Sequence, residues 1–268
     1  MNKKNAITTV ASEESLALLK QNFPSDAGFT RTLIPRLAMA SQDKTSGRGK
    51  SLVVEMEAGT FFTETQSEEE NEEGKKIWNK TELGNEIEGI IIYQRKALRF
   101  YDEKLEQYTS SPIFDTSDDI VPLFCNKQEV ARGTAAELKA RPEYQFEKDG
   151  KIKSKLEDNK ILYILYDGEV YQMTLRGSSM YSYLSYAKTL NPSTVITKFN
   201  SEPQEKGTIS WNQMTFTKVK DLSQEEAEDV IAKQQDIMQG IAQEKQYFAS
   251  INASVTKADK DYKDFDGK

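Results

Sequence analysis

The stretch Ile161–Arg176, ILYILYDGEVYQMTLR, carries the clearest structural signal in the chain. Two runs rich in β-branched and aromatic residues flank Asp167-Gly168, a pair that favours a type I′ turn between antiparallel strands. A two-residue loop sets Tyr163 opposite Gln172, and side chains then alternate between the two faces. The stretch therefore predicts a β-hairpin with one core face and one mixed face that carries Tyr163 and Arg176.

More strand material lies on both sides of this hairpin. Leu52–Phe62 and Ile87–Tyr93 precede it, and a second hairpin of Thr194–Phe199 and Thr208–Lys220 follows. Met180–Leu190 has helical spacing and lies between the two hairpins. This order approximates a Greek-key barrel of the OB type. We predict an α+β fold, with an antiparallel, OB-like β-barrel core, a long C-terminal helix and a disordered tail.

The chain is predicted to have four parts. Ser223 and Glu226 form a capping box at the start of the best helix, which we expect to reach about Ile251. Residues 64–76 contain six glutamates and almost no apolar residue, which indicates a solvated insertion. The predicted parts are an N-terminal helical or extended arm (1–40), an OB-like β-rich domain (41–220) with an acidic insertion (64–76), a C-terminal helix (221–251) and a disordered tail (252–268).

Composition excludes several kinds of catalyst. The 268 residues include no histidine and one cysteine, Cys125. Imidazole acid–base chemistry, histidine metal sites, disulfide frameworks and iron–sulfur clusters are therefore ruled out. No catalytic motif uses the carboxylates, lysines and hydroxyls that remain, so we predict a protein that is not an enzyme and needs no cofactor or metal. One alternative stays open, a Mg²⁺-dependent nuclease that uses Asp115, Asp118 and Asp119.

The chain shows no targeting signal. Met1–Ile7 has two lysines but no apolar run behind it, and the longest apolar run, Ile90–Tyr93, is far too short to span a bilayer. We expect a soluble protein of the cytoplasm, or of the host cytoplasm if it is viral, with no membrane partner.

Charge is segregated along the chain, whose formal net charge is −7. Basic residues outnumber acidic ones between Lys148 and Lys220, and acids dominate Asp221–Glu244. This arrangement favours a β-rich nucleic-acid surface with acidic appendages that repel DNA or recruit partners.

Basic and aromatic residues alternate in the segment around Tyr93–Tyr101. Single-stranded nucleic acid is bound by cations on phosphates and by aromatic faces under bases. The alternative interpretation is an edge strand with a basic outer face and aromatics in the core. The residues predicted to stack on bases are Tyr93, Tyr163, Tyr181 and Trp211, and those predicted to bind phosphates are Arg95, Lys96, Arg99, Arg176 and Lys198.

Residues 194–226 resemble phage-type single-stranded-DNA-binding proteins. The matching features are Val195-Ile196-Thr197, the turn Glu205-Lys206-Gly207, Trp211, Phe216 and the helix start Leu222–Glu226. The resemblance implies an OB fold and a non-catalytic role in phage or mobile-element DNA replication or recombination. It implies single-stranded DNA as a partner, with replication or recombination proteins as further partners.

A second class of function remains open at this point. The long helix after Leu222 would equally suit a structural or partner-binding protein, such as a virion component or an adaptor, in which the helix packs on another chain. Self-association in the absence of DNA affinity would favour that interpretation.

Overall fold

The computed structural model describes residues 34–46, 53–70, 76–103 and 105–265, the last of these as a helical backbone from residue 247 onward. The chain divides into two compact units. One is Leu33–Gln239, which contains all the strands among the described residues. The other combines Met1–Thr32 with Gly240–Lys268, and only the helix from Gly240 is described there.

Most of the larger unit is β-sheet. The strands are β1 (Arg36–Met39), β2 (Lys44–Ser46), β3 (Val53–Met56), β4 (Phe61–Glu70), β5 (Lys76–Gly84), β6 (Glu86–Asp102), β7 (Gln107–Ser110), β8 (Val121–Cys125), β9 (Gln128–Gly133), β10 (Gln145–Lys148), β11 (Lys151–Ser154), β12 (Glu157–Tyr166), β13 (Glu169–Leu175), β14 (Val195–Lys206) and β15 (Ile209–Asp221). The helices are α1 (Ala135–Lys139), α2 (Gly177–Ala187) and α3 (Gln224–Phe265). The prediction of a β-rich protein with a long C-terminal helix is confirmed.

Eleven strands form one sheet in the order β5-β4-β1-β13-β12-β6-β7-β8-β9, with β14 paired to β6 and β15 paired to β14. The single β1–β13 bridge is parallel, and the other described pairs of this sheet are antiparallel. Strands β5 and β9 end the path without pairing to each other, so the described sheet is open. The closure expected of an OB-like barrel is therefore not confirmed.

The β12–β13 hairpin matches its prediction closely. Asp167 and Gly168 have φ values of 50° and 77°, and a type I′ turn requires positive φ at both positions. Tyr163 pairs with Gln172 as expected, and Leu162 and Met173 lie in the main hydrophobic cluster. The other face is less open than predicted, because Tyr163 is only 3% exposed.

The hydrophobic core divides into two main clusters. The larger lies between the sheet and α2, where Tyr183 and Tyr186 contact Phe216 of β15. Burial raises the pKa of Tyr183 to about 12. The smaller cluster surrounds Leu98 and Leu138 near α1. Each fully buried large side chain contributes roughly 1.5–3 kcal/mol, so these clusters fix the sheet that carries the surface residues.

Three segments differ from their predictions. The acidic residues after Thr63 continue β4 as far as Glu70, where we predicted an acidic insertion; in this hairpin Glu64 is opposite Lys80 of β5. Helix α3 extends to Phe265, past the predicted end at Ile251. The helix expected in the N-terminal arm lies outside the described residues, and the described end of that arm includes β1.

Candidate nucleic-acid interface

Arg95 lies inside the protein. It is 3% exposed; its Nε donates a hydrogen bond of 2.7 Å to Asp115 Oδ1, and its Nη2 donates one of 3.0 Å to the carbonyl of Ile113. A buried guanidinium needs such partners because desolvation of an unpaired charge is costly. The structure therefore gives Arg95 a role in linking β6 to the 111–120 segment, away from solvent.

The same segment accounts for the aspartates of the nuclease alternative. Asp119 accepts hydrogen bonds from the backbone of Asp115 and Thr116, while Asp115 contacts Arg95. These bonds close a turn, and Asp118 is the exposed one of the three aspartates. Within the described ranges, no group of three acidic or cysteine side chains is arranged to hold a metal ion.

Tyr93 and Tyr163 occupy directly opposed positions on β6 and β12. Their ring centroids are 6.0 Å apart in an edge-to-face arrangement. Tyr163 is buried and Tyr93 half-buried, so this pair packs within the protein more than it faces solvent.

The remaining predicted residues are spread over several surfaces. Lys96 Nζ donates to Ser117 Oγ over 2.7 Å, and Lys198 Nζ lies 2.7 Å from Glu86 Oε2. Trp211 Nε1 donates to Ser178 Oγ at the start of α2, and Tyr181 of the same helix is 66% exposed. The structure does not bring these four residues together with Arg99.

Arg99 lies against a pair of exposed tyrosines, on the sheet face that also carries Arg176. The guanidinium carbon of Arg99 lies 3.8 Å from the ring centroid of Tyr108, within the range of a cation–π contact. Tyr108 pairs across β6–β7 with Tyr101, with ring centroids 4.6 Å apart, and the two residues are 48% and 42% exposed. We call Arg36, Arg99, Tyr101, Tyr108 and Arg176 the arginine–tyrosine surface.

The pKa of Arg176 is consistent with a position near Arg99 and Arg36, on the face that the strand registers give to all three. Loss of solvent lowers the pKa of Arg176, and the positive charges of Arg99 and Arg36 lower it further. Tyr108 and Glu157 act in the opposite direction. Arg36 is itself half exposed and paired with Glu64 Oε2 at 3.0 Å. Three guanidinium groups from β1, β6 and the end of β13 thus share one region, and an anion placed there would relieve their mutual repulsion.

The sequence analysis missed Arg36 and Tyr108. Arg36 reaches the surface only because β1 pairs with β13, a contact between segments that are distant in sequence. The position of Tyr108 could have been predicted locally, because Tyr101 and Tyr108 flank a polar turn. In this turn Asp102 Oδ1 accepts a hydrogen bond from the backbone N–H of Leu105. That turn makes β6 and β7 a short hairpin and aligns the two rings.

In the described part of the chain, no helix is long and apolar enough to cross a membrane. Comparison of this chain with known protein families, with curated proteins and with solved structures gives no match.

Proposed function

We propose that this protein is a non-catalytic single-stranded-DNA-binding protein that uses the arginine–tyrosine surface. The observation that carries the proposal is the contact of Arg99 with the ring of Tyr108, beside the exposed ring of Tyr101, on the sheet face that also carries Arg36 and Arg176. Guanidinium groups bind phosphates, and exposed rings stack on bases. Both kinds of contact are available within one region.

The partner is single-stranded DNA because the exposed rings suit unpaired bases. A base inside a duplex offers only its edge to a protein, and a major groove admits a helix or a two-stranded ribbon. An open sheet face with two tyrosines fits splayed bases, each worth roughly 1–3 kcal/mol when stacked.

The proposal extends to an OB-like use of the sheet and to a role in phage or mobile-element replication or recombination. The support for this part is the resemblance of residues 194–226, whose strand–turn–strand section corresponds to the β14–β15 hairpin. Cytoplasmic action and partners among replication or recombination proteins belong to the same proposal.

Fluorescence anisotropy of a labelled oligo-dT at several salt concentrations, beside a duplex of the same length, tests the proposal. We expect the single strand to bind more tightly, with an affinity that falls as salt rises. In Arg99→Gln/Arg176→Gln the negative slope of log affinity against log salt should become shallower by about 1.4, because each phosphate contact on a single strand contributes about 0.7.

Lys188→Gln is the matched control, because Lys188 is an exposed cation at the C-terminal end of α2, and α2 packs on the opposite face of the sheet, against Leu162 and Met173. It should bind as the wild type does. Absence of single-strand binding by the wild-type protein at low salt would overturn the proposal, as would an unchanged slope in the double variant.

One observation favours the second candidate, a structural or partner-binding protein. Ile231 and Met238 of α3 are 53% and 56% exposed and lie two helical turns apart, so they share one side of the helix. Sedimentation of the wild type and of Ile231→Ser/Met238→Ser, without DNA, tests it. A concentration-dependent oligomer that the double variant loses would favour this candidate.

A further inference from the structure

The arginine–tyrosine surface continues across the sheet through a row of directly opposed residues. Gln172 of β13 pairs with Arg36 of β1, Arg36 with Glu64 of β4, and Glu64 with Lys80 of β5. Opposed residues in neighbouring strands project from the same face. Lys80 therefore lies on the face that carries Arg36.

Trp78 lies on that face as well. It precedes Lys80 by two positions and pairs with Gln66, with no shift of register between the two pairs. Side chains two residues apart on a strand point to the same side. Trp78 is 49% exposed, so its large ring faces solvent near the edge of the sheet.

A third cation joins this group from the β2–β3 hairpin. Lys44 Nζ lies 3.6 Å from the ring centroid of Phe62. Burial is the main cause that lowers the pKa of Lys44. The charges of Lys80 and Arg36 lower this pKa further, and the charge of Glu64 raises it. Phe62 is two positions from Glu64 on β4, so Lys44 lies on the same face as Arg36 and Lys80. We call Lys44, Trp78 and Lys80 the lysine–tryptophan end.

Arg36 lies between the two groups, because it pairs with Gln172 of β13 on one side and with Glu64 of β4 on the other. The residues belong to strands that run from β5 to β7 in the sheet order. At a spacing of about 4.8 Å between strands, this path spans about 29 Å across the sheet. It crosses β12 at the exposed Glu157, opposite Arg99, because Asn159, Ile161 and Tyr163 on the same face are buried. An aromatic group lies at each end, Trp78 at one and Tyr101 with Tyr108 at the other.

Acidic groups also face this path. Glu64 is bound to Arg36, Glu82 is opposite Phe62, and Glu157 is opposite Arg99. The cations Lys44, Lys80, Arg36, Arg99 and Arg176 outnumber them. The path therefore keeps a positive excess in a chain whose net charge is −7.

We propose that a single strand of DNA crosses the strands of the sheet, from the arginine–tyrosine surface to the lysine–tryptophan end, where a base stacks on Trp78. The proposal rests on the proposed function and adds the extent and direction of the bound strand. A DNA that occupies the whole path needs to be longer than one that occupies the arginine–tyrosine surface alone, within the roughly 4–16 nucleotides that single-strand sites cover.

Intrinsic fluorescence gives a direct test, because Trp78 and Trp211 are the two tryptophans of the chain. In Trp211→Phe, Trp78 is the sole reporter. We expect an oligo-dT of about 16 nucleotides to quench it strongly and one of about 4 nucleotides to quench it weakly, since the shorter one fills only the arginine–tyrosine surface. Trp78→Phe, which keeps Trp211, should lose this length-dependent quenching, and it covers the case in which Trp211→Phe does not fold.

Lys80→Gln separates the path from the function. For the long oligonucleotide, it should make the negative slope of log affinity against log salt shallower by about 0.7; it should leave binding of the short one unchanged. Lys188→Gln, the same change on the opposite face of the sheet, should leave both unchanged. Tight binding of the long oligonucleotide with unquenched Trp78 and an unaltered Lys80→Gln slope would overturn the path while the proposed function stands. Failure of the wild type to bind either oligonucleotide would overturn both.

Discussion

The guanidinium of Arg99 lies over the ring of Tyr108, 3.8 Å from its centroid, although the two residues come from different strands. This contact holds a cation and an aromatic ring in one place on the exposed face of β6 and β7. In the complex that we propose, the cation and the ring would thus be ordered before single-stranded DNA arrives, and less side-chain entropy would be lost on binding.

Tyr108→Ala should weaken binding of oligo-dT about tenfold, because a stacked base contributes roughly 1–3 kcal/mol and the platform under Arg99 is removed. Tyr108→Phe keeps the ring and should bind within about twofold of the wild type. Anisotropy titrations at one salt concentration compare the two. Equal losses in both variants would show that the hydroxyl, and not the ring, makes the contact.

Glu64→Gln should tighten binding of long oligo-dT by about two- to fivefold, because removal of this carboxylate leaves the charge of Arg36 available to phosphate. The matched control is Glu129→Gln, which removes the carboxylate of another glutamate–arginine pair, with Arg132, in β9. That control should bind as the wild type does. Weaker binding in Glu64→Gln would mean that Glu64 positions Arg36 for DNA rather than competing with it.

Arg95→Gln should lower the free energy of unfolding by about 3 kcal/mol, because it breaks a buried ion pair and leaves the Asp115 carboxylate with one partner fewer. Urea denaturation measures this loss. Arg99 is half-buried and four residues further along the same strand. Arg99→Gln should lower the free energy of unfolding by less than about 1 kcal/mol. A stable Arg95→Gln protein whose salt slope falls by about 0.7 would instead return Arg95 to the DNA contacts.

Glu226 gives a pH-dependent contribution at the start of α3. Hydrogen bonds from the Ser223 backbone, then from Lys220 and the Ser223 hydroxyl, lower the pKa of Glu226 to about 2 from its ordinary 4.5. A lowered carboxyl pKa stabilises the fold above pH 4.5, and that stabilisation is lost as the pH falls from 4.5 towards 2.

The melting temperature of Glu226→Gln should therefore lie below that of the wild type at neutral pH and converge with it near pH 2. Glu225→Gln removes the same charge from the same helical turn without touching these hydrogen bonds, and it should lose less at neutral pH. A wild-type–Glu226→Gln difference that is constant from pH 7 to pH 2 would contradict the assignment.

Local signals in the sequence predicted the elements whose geometry is set locally. The Asp167-Gly168 turn fixed the register of β12 and β13, because a two-residue loop with positive φ allows only one pairing. The capping box of Ser223 and Glu226 likewise marked the start of α3. The alternation of residues could not show that the mixed face of β12 would be covered and Tyr163 buried.

The candidate site was only half predictable for the same reason. Arg99 and Arg176 stood out by charge beside aromatic residues, but Arg95, two positions from Tyr93, has the same local pattern and is buried against Asp115. What separates them is the position of the 111–120 segment, which covers one part of β6 and leaves another open. Such coverage depends on tertiary contacts that no local pattern encodes.

The parallel bridge between Arg36 and Gln172 also has a consequence for the order in which the molecule forms. Hairpins such as β12–β13 can close as soon as their own residues are available. Strand β1 can pair early with β4, but its pairing with β13 must wait for the distant second half of the chain. Pairings of such long range lose much chain entropy before they are stabilised and slow folding. During synthesis, the proposed DNA path would therefore be among the last features to assemble, so the affinity for DNA that we propose would appear only once the sheet is complete.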